Sequence, residues 1–310
     1  MKLLFFGTPE FAVPSLAAVH AAGITPYAVV TQPDRPVGRH AQLRPAAVAA
    51  AASAMGIPVW KPEKVRQNAE LLAQLRDAAP DVMAVVAYGR ILPREILDLP
   101  RLGCVNVHAS LLPRHRGASP IQAAILAGDA ETGVATMRIV EELDAGPVYL
   151  ERKVALEPGE DAGALSRRLA VLGGELLVET LRGLESGTLE ARPQRGEPTF
   201  TRPIRREDGL VDWSLPAEQI ARRLRAFTPW PGLHTFWEGE RVKILAAEAI
   251  DGASGAPGSF RAASGALQVD TGEGILLVTR LQRAGKREVT GEEFARGILA
   301  GGRFDARPPA

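Results

Sequence analysis

Short apolar runs alternate with longer helical runs in the first part of the chain. The short runs are residues 3–6, 27–31, 81–87 and 103–108. An apolar run of about four to eight residues between turn signals is typical of a buried strand. Helical runs around residues 46–55 and 69–78 lie between them. The alternation predicts βαβ units, from which an α/β domain with a parallel sheet is built.

Helix boundaries are signalled at three places. Thr8 followed by Pro9 predicts a helix that Thr8 caps and that ends at Gly23. The sequence Ser119-Pro120-Ile121-Gln122 predicts a second helix, which runs to about Ala127. Strands are expected at 132–140 and 148–155, and Asp161 is expected to cap a long helix that ends near residue 183 or 187 and closes the first domain.

The pattern changes after residue 187. Prolines and glycines interrupt residues 188–207, and five arginines stand against one acid between Arg192 and Arg206, which predicts a basic linker. A helix is expected at 216–227, followed by strand pairs that form a small barrel. The expected organisation is a first domain over 1–187, the linker over 188–207 and a second domain over 208–310.

Composition narrows the class of protein. The 310 residues are 46% apolar and 24% charged, as in an ordinary globular protein. A net charge of +1 gives no overall attraction to nucleic acid, so any RNA contact has to come from local basic patches. The single cysteine can form neither an internal disulfide nor a cysteine zinc cluster. We find no signal peptide or membrane span and expect a cytoplasmic protein.

Three polar residues at predicted strand ends and turns are candidates for catalysis. Asn106 and His108 share one face of their strand, because side chains alternate along a strand. Asp144 follows after one further helix and strand. An amide donor, an acid/base group and a carboxylate suit acyl transfer, although a strand-end histidine is often structural and Asp144 alone could simply form a turn. Phe6-Gly7-Thr8-Pro9 matches neither a dinucleotide nor a phosphate loop.

The sequence around these residues resembles a known family. The segments 106–113 and 143–146 look like the active site of 10-formyltetrahydrofolate-dependent formyltransferases. Four further segments resemble the methionyl-tRNA formyltransferases within that family, and they are 6–11, 31–36, 114–122 and 227–232. The similarity covers nearly the whole chain. It implies a Rossmann-like N-terminal formyltransferase domain and a C-terminal OB-like β-barrel domain that binds tRNA.

The resemblance also implies roles for individual residues. Asn106, His108 and Asp144 would be catalytic. The folate contacts would be Tyr88, Ile91, Leu92, Ser110, Leu111, Leu112, Pro113 and Val140. Together with the local basic clusters, it predicts tRNA contacts at Arg35, Arg39, Arg205, Arg206, Arg222 and Lys286. The chain departs from the family pattern at Glu142, commonly glycine, at Ala145, usually threonine, and at Ala41-Gln42, often two lysines.

The implied reaction moves a formyl group from 10-formyltetrahydrofolate to the α-amino group of methionyl-initiator tRNA. We expect a monomer that needs no metal. A sugar-nucleotide formyltransferase is the nearest alternative, since it shares the N-terminal catalytic residues but lacks the basic insertion and the tRNA-binding barrel. A formyltetrahydrofolate hydrolase, with water as acceptor, is another. An RNA-binding module without activity is a third alternative, and the intact set Asn106, His108 and Asp144 argues against it.

Overall fold

The computed structural model describes residues 1–37, 42–263, 265–296 and 301–305. These residues form two compact units. Unit 1 comprises residues 1–120, 131–155 and 166–201, and unit 2 comprises residues 121–130, 156–165 and 202–310. The domain limits expected at 187 and 208 stay predictions.

The strands and helices of the first 201 residues follow the expected alternation. The strands are β1 (Leu3–Gly7), β2 (Ala28–Val30), β3 (Arg35–Val37), β4 (Gln42–Arg44), β5 (Val59–Trp60), β6 (Val82–Val86), β7 (Cys104–His108), β8 (Arg116–Gly117), β9 (Glu131–Arg138), β10 (Val148–Ala155) and β11 (Phe200–Thr201). The helices are α1 (Val13–Ala21), α2 (Ala47–Ala54), α3 (Ala69–Ala78), α4 (Arg94–Leu97), α5 (Pro120–Ala127) and α6 (Ala162–Ser186). The strands predicted between residues 3 and 155 all form, with ends within two residues of the expected ones.

Unit 1 is built on a seven-stranded sheet with the order β10-β9-β7-β6-β1-β2-β5. The strands from β7 to β5 run parallel, and β9 and β10 are antiparallel. The chain first adds β2 and β5 on one side of β1 and then β6 and β7 on the other. In such a sheet, ligands bind outside the carboxyl ends of the strands, near the point where the order reverses.

Two apolar clusters cover the two faces of this sheet. Val105 and Val107 of β7 pack in one cluster, whereas Cys104 packs in the other. Alternation along β7 therefore places Asn106 and His108 on the face of Cys104. Apolar residues fill both faces because a parallel sheet is covered by helices on each side.

Helix ends confirm one predicted cap and correct another. Asp161 caps α6, since its Oδ1 accepts a hydrogen bond from the Ala164 amide at 2.8 Å. The predicted cap at Thr8 is wrong. Its hydroxyl donates to the Tyr88 carbonyl at 3.0 Å, and α1 begins at Val13 after a short 3₁₀ turn. Thr8 thus ties the loop after β1 to the loop after β6.

Unit 2 contains an antiparallel sheet that closes on itself. The remaining strands are β12 (Leu233–Trp237), β13 (Glu240–Ile250), β14 (Ser259–Ala263), β15 (Ala266–Asp270), β16 (Ile275–Arg283), β17 (Glu288–Thr290) and β18 (Gly302–Arg303), and the helices are α7 (Ala217–Ala226) and α8 (Gly291–Arg296). The order is β12-β13-β16-β15-β14-β18. Two backbone hydrogen bonds between Phe236 and Asp305 join the last strand region to the first. The closure confirms the predicted barrel-like domain.

The predicted linker is partly ordered against unit 1. Strand β11 pairs in parallel with β8, and Arg192 bridges to Val148. Strands β3 and β4 pair as antiparallel strands, and Arg39, a predicted tRNA contact, lies outside the described residues. No helix among the described residues is long and apolar enough to cross a membrane.

Candidate active site

His108 and Asp144 meet beyond the carboxyl end of β7. The His108 Nδ1 atom lies 3.7 Å from the Asp144 Oδ2 atom. Their side chains are 7% and 15% exposed, so water screens the pair only weakly. The structure thus brings these two predicted site residues together, at a distance slightly longer than a hydrogen bond.

The two ring nitrogens of His108 face different acceptors. Nε2 lies 3.0 Å from the His115 carbonyl oxygen and donates to it, because a carbonyl oxygen can only accept. Nδ1 faces the Asp144 carboxylate. Burial lowers the pKa of His108, and the Asp144 charge and the His115 carbonyl oppose that effect. Both neighbours favour the imidazolium form, which has a proton on each nitrogen.

Asp144 is held in an unusual backbone conformation. Its φ angle is 48°, in the left-handed region that aspartate tolerates better than most residues. The Gly117 amide donates to Oδ2 of Asp144 at 2.7 Å, so this oxygen faces both the amide and His108. The hydrogen bond from the backbone N–H holds the carboxylate in this position.

A cavity of about 490 Å³ lies on the same face of the sheet, beside β7. Gly103 and Cys104 of β7 line it, together with α4 residues and the 138–141 segment that leads to Asp144. This volume is in the range of small-molecule sites.

Burial raises the pKa of Cys104 to about 12, so its thiol stays protonated and is not a nucleophile near neutral pH.

The 192–201 segment holds the loops of the site, a role that its own sequence does not signal. The Gln194 amide nitrogen donates to the carbonyls of Asp144 and Gly146, each at 2.8 Å. Its amide oxygen accepts from the Arg116 guanidinium at 3.1 and 2.8 Å. Gln194 is 50 residues from Asp144 in the sequence. No local pattern signals a contact over that distance.

Threonines of the same segment fix the 115–119 backbone. The Thr199 hydroxyl accepts from the His115 amide at 2.8 Å. The Thr201 hydroxyl accepts from the Ser119 amide at 3.0 Å and donates to the Arg116 carbonyl at 3.1 Å. His115 and Gly117 have positive φ angles of 58° and 107°. These bonds keep the His115 carbonyl and the Gly117 amide aimed at His108 and Asp144.

The residues predicted to contact folate occupy several environments. Val140 lines the cavity and is 37% exposed, and Ile91 is 64% exposed. Tyr88 is buried, with its ring 5.3 Å from that of Phe6 in an edge-on contact. Leu92 is buried in the same apolar cluster as Tyr88. Tyr88 and Leu92 stay predictions as folate contacts, and the structure places their side chains in the core.

The other predicted folate residues form the loop after β7. Ser110 is buried and donates to the Arg114 carbonyl at 2.6 Å. Leu112 packs in a small cluster with residues of β9, and Pro113 accepts from the Thr199 amide through its carbonyl. Leu111 is half-buried. As arranged here, Ser110, Leu112 and Pro113 shape the loop.

Most of the predicted tRNA contacts lie on the surface. Arg35, Arg206 and Lys286 are exposed, as is Arg205, whose guanidinium lies 4.0 Å from Glu207. Arg222 is half-buried and pairs with Glu218 at 3.1 Å. Arg39 is outside the described residues. Their contact with tRNA stays a prediction.

One of the residues that differ from the family pattern forms an ion pair in the structure. Glu142 lies 3.3 Å from the Arg116 guanidinium and is 74% exposed. Nothing in the structure explains Ala145 where relatives usually carry threonine. Within the described residues, no group of three or more histidine, cysteine or acidic side chains is placed to hold a metal ion.

Two long segments of the chain match known protein families. Residues 1–181 match the formyl transferase family model, and residues 203–299 match that of the formyl transferase C-terminal domain. A methionyl-tRNA formyltransferase from Pelotomaculum thermopropionicum is 45% identical over 300 residues, which is 96% of each chain. One from Pelobacter propionicus is 45% identical over 315 residues, covering 99% of this chain and 98% of the relative.

A solved structure shares the fold. It is an N-formyltransferase from Helicobacter canadensis in complex with folinic acid and dTDP-3-aminofucose. It has a TM-score of 0.65 and 17% identity, and the match covers 91% of this chain and 99% of that one. The two family matches and the identity of 45% over nearly the whole chain establish that the chain is a transferase and belongs to the formyl transferase family.

Proposed function

We propose that this chain transfers a formyl group from 10-formyltetrahydrofolate to the α-amino group of methionyl-initiator tRNA. The pairing of His108 with Asp144 carries the proposal, and a cavity of about 490 Å³ lies against the same strand. Relatives that are 45% identical over nearly the whole chain are named methionyl-tRNA formyltransferases, which supports the choice of acceptor. The folinic acid in the Helicobacter canadensis structure supports a folate donor.

Asn106 and His108 would act on the transferred carbonyl group. The neutral amine attacks the formyl carbon, and the formyl oxygen gains negative charge in the tetrahedral intermediate. A side-chain amide and an imidazolium on one strand face can both stabilise that charge. The reaction then breaks the bond between the formyl carbon and N10 of the folate.

Asp144 would manage the proton of the attacking amine. Its carboxylate lies beside His108 and accepts from the Gly117 amide. The amine loses a proton as its bond to carbon forms, and N10 gains one as it leaves. Transfer through the His108–Asp144 pair joins these two steps. Esterification keeps the amino acid's carboxylate uncharged, and this favours a neutral amine near neutral pH.

The cavity would hold the pteridine ring of the folate. Its lining combines apolar residues such as Leu97 and Ile139 with polar ones such as Arg94 and Asp98. A flat heterocycle needs both apolar walls and polar partners.

Arg35, Arg39 and the predicted basic residues of unit 2 would contact tRNA phosphates, so binding should weaken as salt rises. A cytoplasmic location and a monomeric state stay predictions.

One competition experiment tests the proposal. The full-length protein is incubated with 10-formyltetrahydrofolate carrying a labelled formyl group, methionyl-initiator tRNA and a UDP-amino sugar. We expect the label on the tRNA-bound methionine. Label on the sugar, or released as formate with no transfer, would overturn the proposal. A reaction without tRNA measures background hydrolysis.

A further inference from the structure

The side-chain amide of Gln194 uses all its hydrogen-bonding positions on the active-site loops. Its nitrogen donates both hydrogens, to the carbonyls of Asp144 and Gly146. Its oxygen accepts twice from Arg116. An amide offers two donors and two acceptor positions, so all four are used. Gln194 is half-buried, and a surface residue without a specific task rarely has such a complete set of partners.

The two donated bonds hold a turn that begins with a residue in the left-handed region. Asp144 has a φ angle of 48°, and a side chain in that region costs roughly 1 kcal/mol or more. Gly146 sits so close to the Arg138 carbonyl that a Cβ on it would collide. Bonds to the carbonyls of Asp144 and Gly146 hold this turn at both ends. They thereby determine where the Asp144 carboxylate points.

Arg116 orients the amide of Gln194. An amide that rotated by 180° would turn its nitrogen toward the guanidinium and its oxygen toward the two carbonyls, and all four contacts would become repulsive. Arg116 is itself buried, with its charge 6.0 Å from the centre of the Phe200 ring. The guanidinium thus selects one orientation of Gln194.

We infer that Gln194 is a positioning residue for the proposed reaction: it holds the 144–146 turn so that the Asp144 carboxylate faces His108. Gln194 does not touch the reacting atoms. It acts through Asp144, and the inference rests on the proposed function for its effect on turnover. The residue lies in the segment that the sequence predicts as a linker.

Three single variants test this role. Gln194→Leu removes all four hydrogen bonds, whereas Gln194→Glu keeps an acceptor for Arg116 and loses both donors to the turn. Gln74→Leu makes the same change as Gln194→Leu on an exposed face of α3 and serves as the matched control. We expect both Gln194 variants to lower kcat by about tenfold to a hundredfold, the size expected for two lost hydrogen bonds. The control should stay within about twofold of the unmodified protein, as surface substitutions usually do.

A double-mutant cycle with Asp144→Asn identifies the route of the effect. If Gln194 acts through the Asp144 carboxylate, adding Gln194→Leu to Asp144→Asn lowers kcat by less than about threefold more. Full additivity would overturn the inference, as would an unchanged kcat in Gln194→Glu. If Gln194→Leu fails to fold, the cycle is run with Gln194→Glu, in which the ion pair with Arg116 keeps the segment attached.

NMR titration of His108 separates this inference from the proposed function. Burial and the charge of the His115 ring lower the pKa of His108, whereas the Asp144 charge and the hydrogen bond to the His115 carbonyl raise it. Displacing the carboxylate should lower the His108 pKa in both Gln194 variants and not in Gln74→Leu. If the unmodified protein fails to formylate methionyl-tRNA, the proposed function fails while the titration still decides the role of Gln194. An unchanged titration in both Gln194 variants would overturn the inference whatever the activity.

Discussion

Replacing Asp144 with asparagine removes one charge and almost no volume. The Asp144 Oδ2 atom lies 3.7 Å from His108 Nδ1, and both side chains are largely buried. At about 4 Å and an effective dielectric constant of about 20, opposite unit charges attract by about 4 kcal/mol. A loss of half to three quarters of that, about 2–3 kcal/mol, slows a reaction that depends on the imidazolium by about a hundredfold. We therefore expect kcat of Asp144→Asn to fall by about a hundredfold at neutral pH.

The pH dependence gives the sign of the effect. Burial lowers the pKa of His108, and the Asp144 charge raises it, so the substitution should lower that pKa further. A rate that needs the imidazolium falls as pH rises through this pKa, and in Asp144→Asn the fall should begin at lower pH. The assay is formylation of methionyl-tRNA under single-turnover conditions across a pH series. Asp77→Asn, at an exposed site on α3, is the control.

Two results would refute the reasoning about Asp144. One is a rate for Asp144→Asn within about threefold of the unmodified protein at every pH. The other is a large fall in rate with the same pH profile, which would mean that the charge acts on something other than His108. The Gly117 amide can still donate to the asparagine oxygen, so loss of that hydrogen bond does not confuse the comparison.

Three further predictions concern other parts of the chain. Gly117→Ala should lower activity about tenfold or more and lower Tm, because its Cβ would collide with the Thr201 carbonyl; Gly159→Ala, also at positive φ but in open space, should keep full activity. Burial lowers the pKa of His234, so the unfolded chain binds the proton more tightly and stability should fall from about pH 7 to about pH 5. Calorimetry over this pH range should show a smaller fall in Tm for His234→Gln than for the unmodified protein. Parallel curves of Tm against pH for the two proteins would contradict this. Arg39→Ala should weaken tRNA binding across a salt series while formyl-folate binding, measured by fluorescence, stays unchanged.

The elements that the sequence predicted best are those with a local signal. β7 is apolar apart from Asn106 and His108, so its existence and the shared face of these two residues follow from alternation alone. Asp161 caps α6 because a cap depends on neighbouring residues. Thr8 carries the same local signal and does not cap. Its hydroxyl bonds instead to Tyr88, 80 residues away, and a contact at that distance leaves no local pattern.

The parts of the site that the sequence did not predict are held by distant backbone and side-chain contacts. The pairing of Asp144 with the Gly117 amide spans 27 residues, and its contact with Gln194 spans 50. Composition marked residues 188–207 as basic and rich in turns, a pattern that a free linker and an ordered segment share. Tyr88 shows a different limit of the sequence. An aromatic side chain at a strand end suits a ligand site as well as the core, so its pattern does not decide between the two.

The 192–201 segment is synthesised after the proposed catalytic residues whose loops it holds. The ribosome adds about 5–20 residues per second, so Asn106, His108 and Asp144 leave it seconds before the segment that holds their loops. Thr201 accepts from and donates to backbone 82 and 85 residues earlier. A nascent chain that ends before Arg192 therefore contains every proposed catalytic side chain and lacks the contacts that orient them. Full activity should appear during translation only after Thr201 has been made.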